Sequence, residues 1–221
     1  MNGFFRNVDW SEVAQACLDT IAMLGGSLVL TIALGLPLGI LLFLTGPGQP
    51  WQNRWGNGVL ALLVNLVRSL PFIILLIVMI PLTIVLVGTS LGVAGAIPPL
   101  VVAAAPFFAR LVETALREVD RNTVEAVQAM GATTRDLVFR ALLPEALPGI
   151  VAAVTVTAIT LISFTAMAGA VGAGGLGDLA IRFGYQRFQT DVMLVTVVLL
   201  LALVQLLQVA GDRLVRHFTR K

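Results

Sequence analysis

Few residues in this chain of 221 carry side chains that do chemistry, and their scatter excludes most of it. There is one cysteine, Cys17, one histidine, His217, and one lysine, Lys221. Cys17 has no second cysteine to pair with and reads as a small packing residue. His217 sits in a basic tail without a second ligand at metal spacing, so it reads as solvated and no metal site is expected. A Walker-type phosphate loop needs a lysine behind its glycines, and the only lysine is the last residue. This chain is therefore not expected to hydrolyse ATP in that manner, nor to hold a catalytic residue. Gly172, Gly174 and Gly177 do match G-x-G-x-x-G, but a long apolar segment precedes them where a dinucleotide site needs a strand. They read as a closely packed loop. The tail cations Arg213, Arg216, Arg220 and Lys221 follow an apolar segment and suit lipid headgroups. With 12 acids against 14 bases, no field for nucleic acid exists.

One polar stretch, EAVQAMGATTRDLVFRALLP at 125–144, carries a spacing with mechanical meaning. Asn122 followed by Glu125 fits a reciprocal cap at a helix start. Ala126, Ala129 and Ala132 recur every third residue and would let another surface approach closely, beside an apolar stripe of Val124, Val127 and Met130. Gly131 suits the left-handed geometry that ends a helix. Thr133 or Thr134 can cap the next helix, with Asp136 near its positive end, and Pro144 and Pro148 would break that helix and open the following segment. Two readings fit: an amphipathic helix resting on headgroups, or a helix that docks on a soluble partner. The small alanine face favours docking, since lipid contact favours bulkier apolar residues.

The elements around this island lie in a membrane. Hydrophobic residues make up 58% and charged ones 12% of the chain, about half the charge of a soluble domain. The charges leave four gaps, at 20–53, 69–109, 146–177 and 192–211. A helix needs ~20 apolar residues to cross the hydrocarbon core, so the gaps hold one, two, one and one crossings. The second must hold a pair, reversing at the Gly/Pro-rich 88–99. The fold class expected is an all-α integral membrane protein, a single domain over 1–221, with about five spans at 19–44, 69–88, 91–112, 148–170 and 191–211. Eleven basic residues, Arg54, Arg68, Arg110, Arg117, Arg121, Arg135, Arg140, Arg213, Arg216, Arg220 and Lys221, fall on one face, and Arg6, Arg182 and Arg187 on the other. The excess places the C-terminus and the island in the cytoplasm and the N-terminus outside. The first segment lacks a basic leader and a small-residue cleavage site, so it is expected as a retained span.

Within the spans, Pro81, Pro98, Pro99 and Pro106 are expected to interrupt the second and third, and Arg68 to stand at the cytoplasmic entry of the second. Thr155, Thr157, Thr160, Ser163 and Thr165 place hydroxyls along the fourth, facing the bundle or bonding back to their own helix. Glycines from Gly169 to Gly175 would allow tight contact at its outer end. No acid lies in the core of any span, which favours energy supplied by a partner over an ion-driven carrier.

The island resembles the EAA loop of ABC importer permeases: Glu125-Ala126-Val127, then Gly131, then Leu143-Pro144. A valine stands where that pattern has its second alanine. The resemblance extends to Arg68-Ser-Leu-Pro71-Phe72, to Ala105-Pro106-Phe107-Phe108-Ala109-Arg110, to the segment from Met167 to Asp178, and to Gly184-Tyr-Gln-Arg-Phe188. Over roughly 65–216 the chain is similar to methionine importer permease subunits, with Phe164-Thr165 where those commonly have Tyr-Ser. The resemblance implies a permease in a bacterial inner (plasma) membrane that translocates methionine inward as a homodimer. The implied partners are two copies of an ATP-binding cassette ATPase, which would hold ATP and Mg, and an external substrate-binding protein. It also implies a coupling helix between spans three and four, with Glu125, Ala126, Met130 and Gly131 as ATPase-coupling residues. Ser163, Thr165, Met167 and Gly169 are the candidates for pathway or gate. Two other readings stand beside this one: a permease for another small amino acid, or a membrane scaffold or passive channel.

Overall fold

A computed structural model describes residues 7–219, and every element in it is helical. Arg6, Arg220 and Lys221, three of the cations used for orientation, lie outside the described residues. Helix α1 (Trp10–Leu44) is followed by α2 (Arg54–Ser69), α3 (Phe72–Val78), α4 (Ile80–Val87) and α5 (Gly92–Arg117). Then come α6 (Arg121–Ala129) and α7 (Thr134–Asp136), which runs through a π-helical turn (Leu137–Leu142) into α8 (Leu143–Gly169). Helix α9 (Gly175–Leu179) ends in a second π-helical turn (Ala180–Tyr185), and α10 (Thr190–Thr219) closes the chain.

Four of these stretches are long and apolar enough to cross a membrane: Trp10–Leu44, Gly92–Arg117, Thr134–Gly169 and Thr190–Thr219. All four run past the bounds expected from charge alone. Charge marks what stays out of hydrocarbon, but a helix ends where its backbone groups find other partners. Thus α1 starts at Trp10 because Asp9 accepts the Ser11 amide at 2.9 Å. Likewise α5 carries Arg110, Glu113 and Arg117 on its last two turns.

The expected span 69–88 is two short helices that meet at Met79, with Pro81 in the first turn of α4. Ahead of them stands α2, which the charge gaps did not suggest. Asn53 caps it by accepting the Gly56 amide, and Asn57 ties it to α1 by donating to the Leu42 carbonyl and Thr45 hydroxyl. Helices α2 and α3 bend by 101° at Leu70 and Pro71. Proline disfavours helical backbone in the residue before it, and Leu70 is extended at ψ 131. Arg68 therefore sits at a bend, its guanidinium 5.9 Å from the Phe107 ring centre, rather than at the entry of a span. The reversal is also shorter than expected. It occupies 88–91, and Pro98, Pro99 and Pro106 lie inside an unbroken α5 instead of interrupting it.

The core is built on α1 against α5, the most extensive helix pair. Gly35 and Gly39, one turn apart on α1, face α5. A Cβ on Gly39 would lie 2.6 Å from the Ala109 carbonyl oxygen, and one on Gly35 2.9 Å from that of Ala105. Small residues here let the two backbones approach, which is how helices gain packing where lipid supplies no hydrophobic drive. Helix α8 packs on α5, and α10 on α8. Phe72 of α3 stacks on Phe164 of α8 with ring centres 4.5 Å apart.

Candidate functional site

Helix α6 and its closing turn stand out from the bundle between α5 and α8. The cap is Asp120, whose carboxylate accepts the Asn122 amide at 2.9 Å, so Asn122 is not the capping residue. With the helix starting one residue after Asp120, Glu125 falls beyond reach of the first turn. It pairs instead with Arg121, one helical turn earlier, at 2.8 Å.

The far end closes as its sequence suggests. Gly131 is left-handed at φ 79, its amide donates to the Gln128 carbonyl at 2.9 Å, and the Ala132 amide to that of Val127 at 3.4 Å. These are the two bonds of a Schellman turn. The Thr133 hydroxyl then accepts the Asp136 amide at 3.2 Å and donates to the Asp136 carboxylate at 2.6 Å. The next helix does not break at Pro144. That residue lies in the first turn of α8, and the Leu143 amide before it donates five residues back, to Val138. A proline cannot supply the regular bond that would follow, and the register widens to a π turn just ahead of it.

Burial separates the two sides of α6. Val124 and Val127 pack on an apolar cluster that includes Phe43 of α1, Phe108, Val112 and Leu116 of α5, Leu137 and Val138 of the π turn, and Ile150 of α8. Glu125, Ala126, Ala129 and Gly131 are exposed, and Met130 is 79% exposed. Ala132 lies past the turn and is half-buried, so the open small-residue face is Ala126 and Ala129. A cleft of about 260 Å³ lies beside α6, with Arg117, Arg121, Gln128 and Gln49 in its wall. An exposed sulfur, two alanines, a carboxylate and an arginine on a firmly seated helix make a surface another protein can grip.

The four residues proposed for a pathway divide. Ser163 and Met167 are exposed on α8, one turn apart and in line with exposed Val156. Thr165 is buried, and its hydroxyl donates to the Ile162 carbonyl at 2.8 Å. Gly169 is buried where a Cβ would overlap the Gly177 and Asp178 backbone. Thr155, Thr157 and Thr160 likewise donate to carbonyls four residues back. Of the five hydroxyls on this helix, that of Ser163 alone makes no hydrogen bond among the described residues. The glycine-spaced loop packs as a loop. The Gly92 amide donates to Gly172, and the Leu176 amide to the buried Thr20 hydroxyl at 2.9 Å.

A family model for the inner membrane component of binding-protein-dependent transport systems matches residues 35–221. The chain belongs to this family. It is thus a multi-pass inner-membrane transport component. Among its relatives, the methionine import system permease protein of Bacillus subtilis (strain 168) is 48% identical over 95% of this chain and 94% of its own length. A probable D-methionine transport system permease of Vibrio cholerae is 48% identical over 91% and 90%. A solved structure of inward-facing conformations of the MetNI methionine ABC transporter has a chain 49% identical, with a TM-score of 0.93 over 95% of this chain and 97% of that one. An amino acid ABC transporter at 14% identity and a TM-score of 0.78 shares the fold.

One polar cluster near α6 was missed in the sequence. Glu113, with 7% of its side chain exposed, accepts from Arg110 at 2.7 Å and Arg117 at 2.8 Å. Arg110 also reaches Asn65 on α2 at 3.3 Å. The signal was present: three charges at i, i+3 and i+7 on one helix face. The expected span 91–112 divides it, leaving Arg110 within the span and Glu113 and Arg117 in the loop after it.

Proposed function

We propose that this chain is the membrane-spanning permease of an ATP-driven importer of methionine. It works as a homodimer of ten spans, with two ATPase subunits on the cytoplasmic side and a substrate-binding protein outside. The observation that carries the coupling role is the exposed α6 face held on an apolar cluster common to α1, α5 and α8. The substrate reading rests on relatives 48% identical over nearly the whole chain and named for methionine import.

The orientation has the N-terminus outside and the C-terminus in the cytoplasm. Arg117, Arg121, Arg135 and Arg140 gather around α6, while Arg182 and Arg187 lie around the second π turn, which supports that direction. ATP and Mg belong to the partner ATPase, whose closure supplies the motion. The chain's own part is mechanical. Glu125, Ala126, Met130 and Gly131 form the grip, and Val124 and Val127 pass displacement to the bundle. Ser163 and Met167 face the pathway at the contact between copies, where an unbonded hydroxyl is better placed than in lipid. Thr165 and Gly169 hold the local packing of α8 behind them.

The test is uptake of labelled methionine into cells lacking their own importers, with the chain co-expressed with its ATPase and binding protein. Uptake that requires ATP hydrolysis and yields only to methionine-like competitors is expected. Transport of a different amino acid would overturn the substrate, and an assembled complex that transports nothing would leave the scaffold.

A further inference from the structure

One apolar groove on the molecule is not part of the coupling surface. It holds about 510 Å³ between the last turns of α1 and the start of α7 with its π turn. Leu36, Ile40 and Leu44 form one wall and Val138 the other, with Leu41 and Phe139 as exposed lips. Trp51 and Arg135 stand at its end. We propose that this groove binds an anionic phospholipid, with one acyl chain lying along α1 and the phosphate on Arg135.

Three observations converge on that occupant. The lips continue the outward stripe of α1, Val29, Leu30 and Leu34, all exposed and apolar, so the groove opens on the surface a bilayer covers. The residues Leu36 to Leu44 rise ~12 Å along the helix, less than one leaflet's share of a ~30 Å hydrocarbon core. The end of the groove also sits at the level of a bilayer interface. Trp51 in its lining is exposed, and tryptophan gathers at headgroup depth. Finally, the cation has no direct contact partner, only the longer-range field of Asp136. Arg140 is paired with Asp136 at 3.3 Å, whereas Arg135 makes no hydrogen bond or ion pair among the described residues.

The proposal does not depend on what the chain transports, because lipid retention is read without transport. Full-length chain purified in detergent is mixed with phosphatidylglycerol or with phosphatidylcholine of the same acyl chains. Bound lipid is then counted by native mass spectrometry. Wild type retains phosphatidylglycerol preferentially. Arg135→Gln, an exposed change that leaves the fold intact, reduces that retention about five-fold, the effect of one basic side chain near an anionic surface. Leu41→Trp fills the lip and lowers retention of both lipids alike. Undiminished phosphatidylglycerol on Arg135→Gln overturns the headgroup site. Cross-linking of Phe139→Cys between two copies in native membranes would also overturn it, showing a protein in place of the lipid.

Discussion

The left-handed turn at Gly131 allows the coupling role to be tested through backbone geometry alone. Nothing lies within 4 Å of the position a Cβ would take there, and φ is 79. A side chain at 131 therefore meets no neighbour within the chain, and its cost is conformational. For an L-residue the left-handed region costs roughly 1–2 kcal/mol, and a β-branched residue lies at the upper end. Gly131→Val should shift the population of this turn by about 5–30-fold, relaxed by reopening the two amide bonds to Val127 and Gln128. Met130 and the alanine face would then leave their set positions while the bundle stays folded. Asparagine tolerates this backbone region, so Gly131→Asn has a similar bulk at much lower strain. In proteoliposomes of the assembled transporter with its binding protein, Gly131→Val should retain ATP turnover but lose most methionine uptake. Gly131→Asn should keep most of both. Equal loss of uptake in the two variants would refute the conformational argument, because bulk against the ATPase would then be the cause. Full uptake in both would remove Gly131 from coupling altogether.

Other consequences follow from the packing. Glu113→Ala leaves Arg110 and Arg117 without their shared carboxylate. Removing one partner of a buried pair costs ~3–5 kcal/mol, and with Arg117 45% exposed the lower end is expected, read as a fall in thermal stability in detergent. Gly169→Ala puts a methyl into the Gly177 and Asp178 backbone and should destabilise by roughly 1–3 kcal/mol as overpacking. Gly25→Ala, on an exposed helical face with nothing within 4 Å, should instead stabilise by about 0.5–1 kcal/mol, and the same thermal scan compares the two. Met167→Trp should slow methionine uptake without changing the yield of assembled complex, and unchanged uptake would take Met167 out of the pathway.

The long apolar stretches were legible because a charge in hydrocarbon is costly and none was placed there. Their ends were not, because caps set them. Asp9 and Asp120 begin helices at places where hydropathy shows nothing. Helix α2 escaped notice since Arg54, Asn57, Asn65 and Arg68 interrupt its apolar residues, although Asn53 is an ordinary cap and Val64 marks the buried face. The bend at Leu70 was written in Pro71. The unbroken α5 was not written in Pro98 and Pro99, which on sequence grounds argue for a break; tertiary packing overrides them, since Pro99 and Leu100 are buried. The closing turn of α6 was readable from Gly131, and its start was misread by two residues because Asp120 and Asn122 are both good caps.

The placement of α6 also bears on how a pull on it would travel. A loop helix resting on headgroups would show its apolar side to lipid, but Val124 and Val127 turn inward onto the apolar cluster that α1, α5, the π turn and α8 share, and α6 packs mainly on the π turn. Any movement of α6 that keeps those contacts must carry part of that cluster with it, since close-packed cores repack in discrete steps rather than stretch. On the α5 side the path is short. Only 118–120 separate α5 from α6, and Arg117, one residue before this link, is held by Glu113 and through it joined to Arg110 and α2. On the α8 side the path runs through the π turn, where the backbone register is already shifted. The stiff connection therefore leads to the helix that bends at Pro71, and the compliant one to the helix that carries Ser163 and Met167. A stiffened π turn should thus leave ATP turnover intact while uptake falls. Pro144→Ala, which restores the missing amide, is the variant that measures it, and undiminished uptake there would mean that motion reaches α8 only through α5.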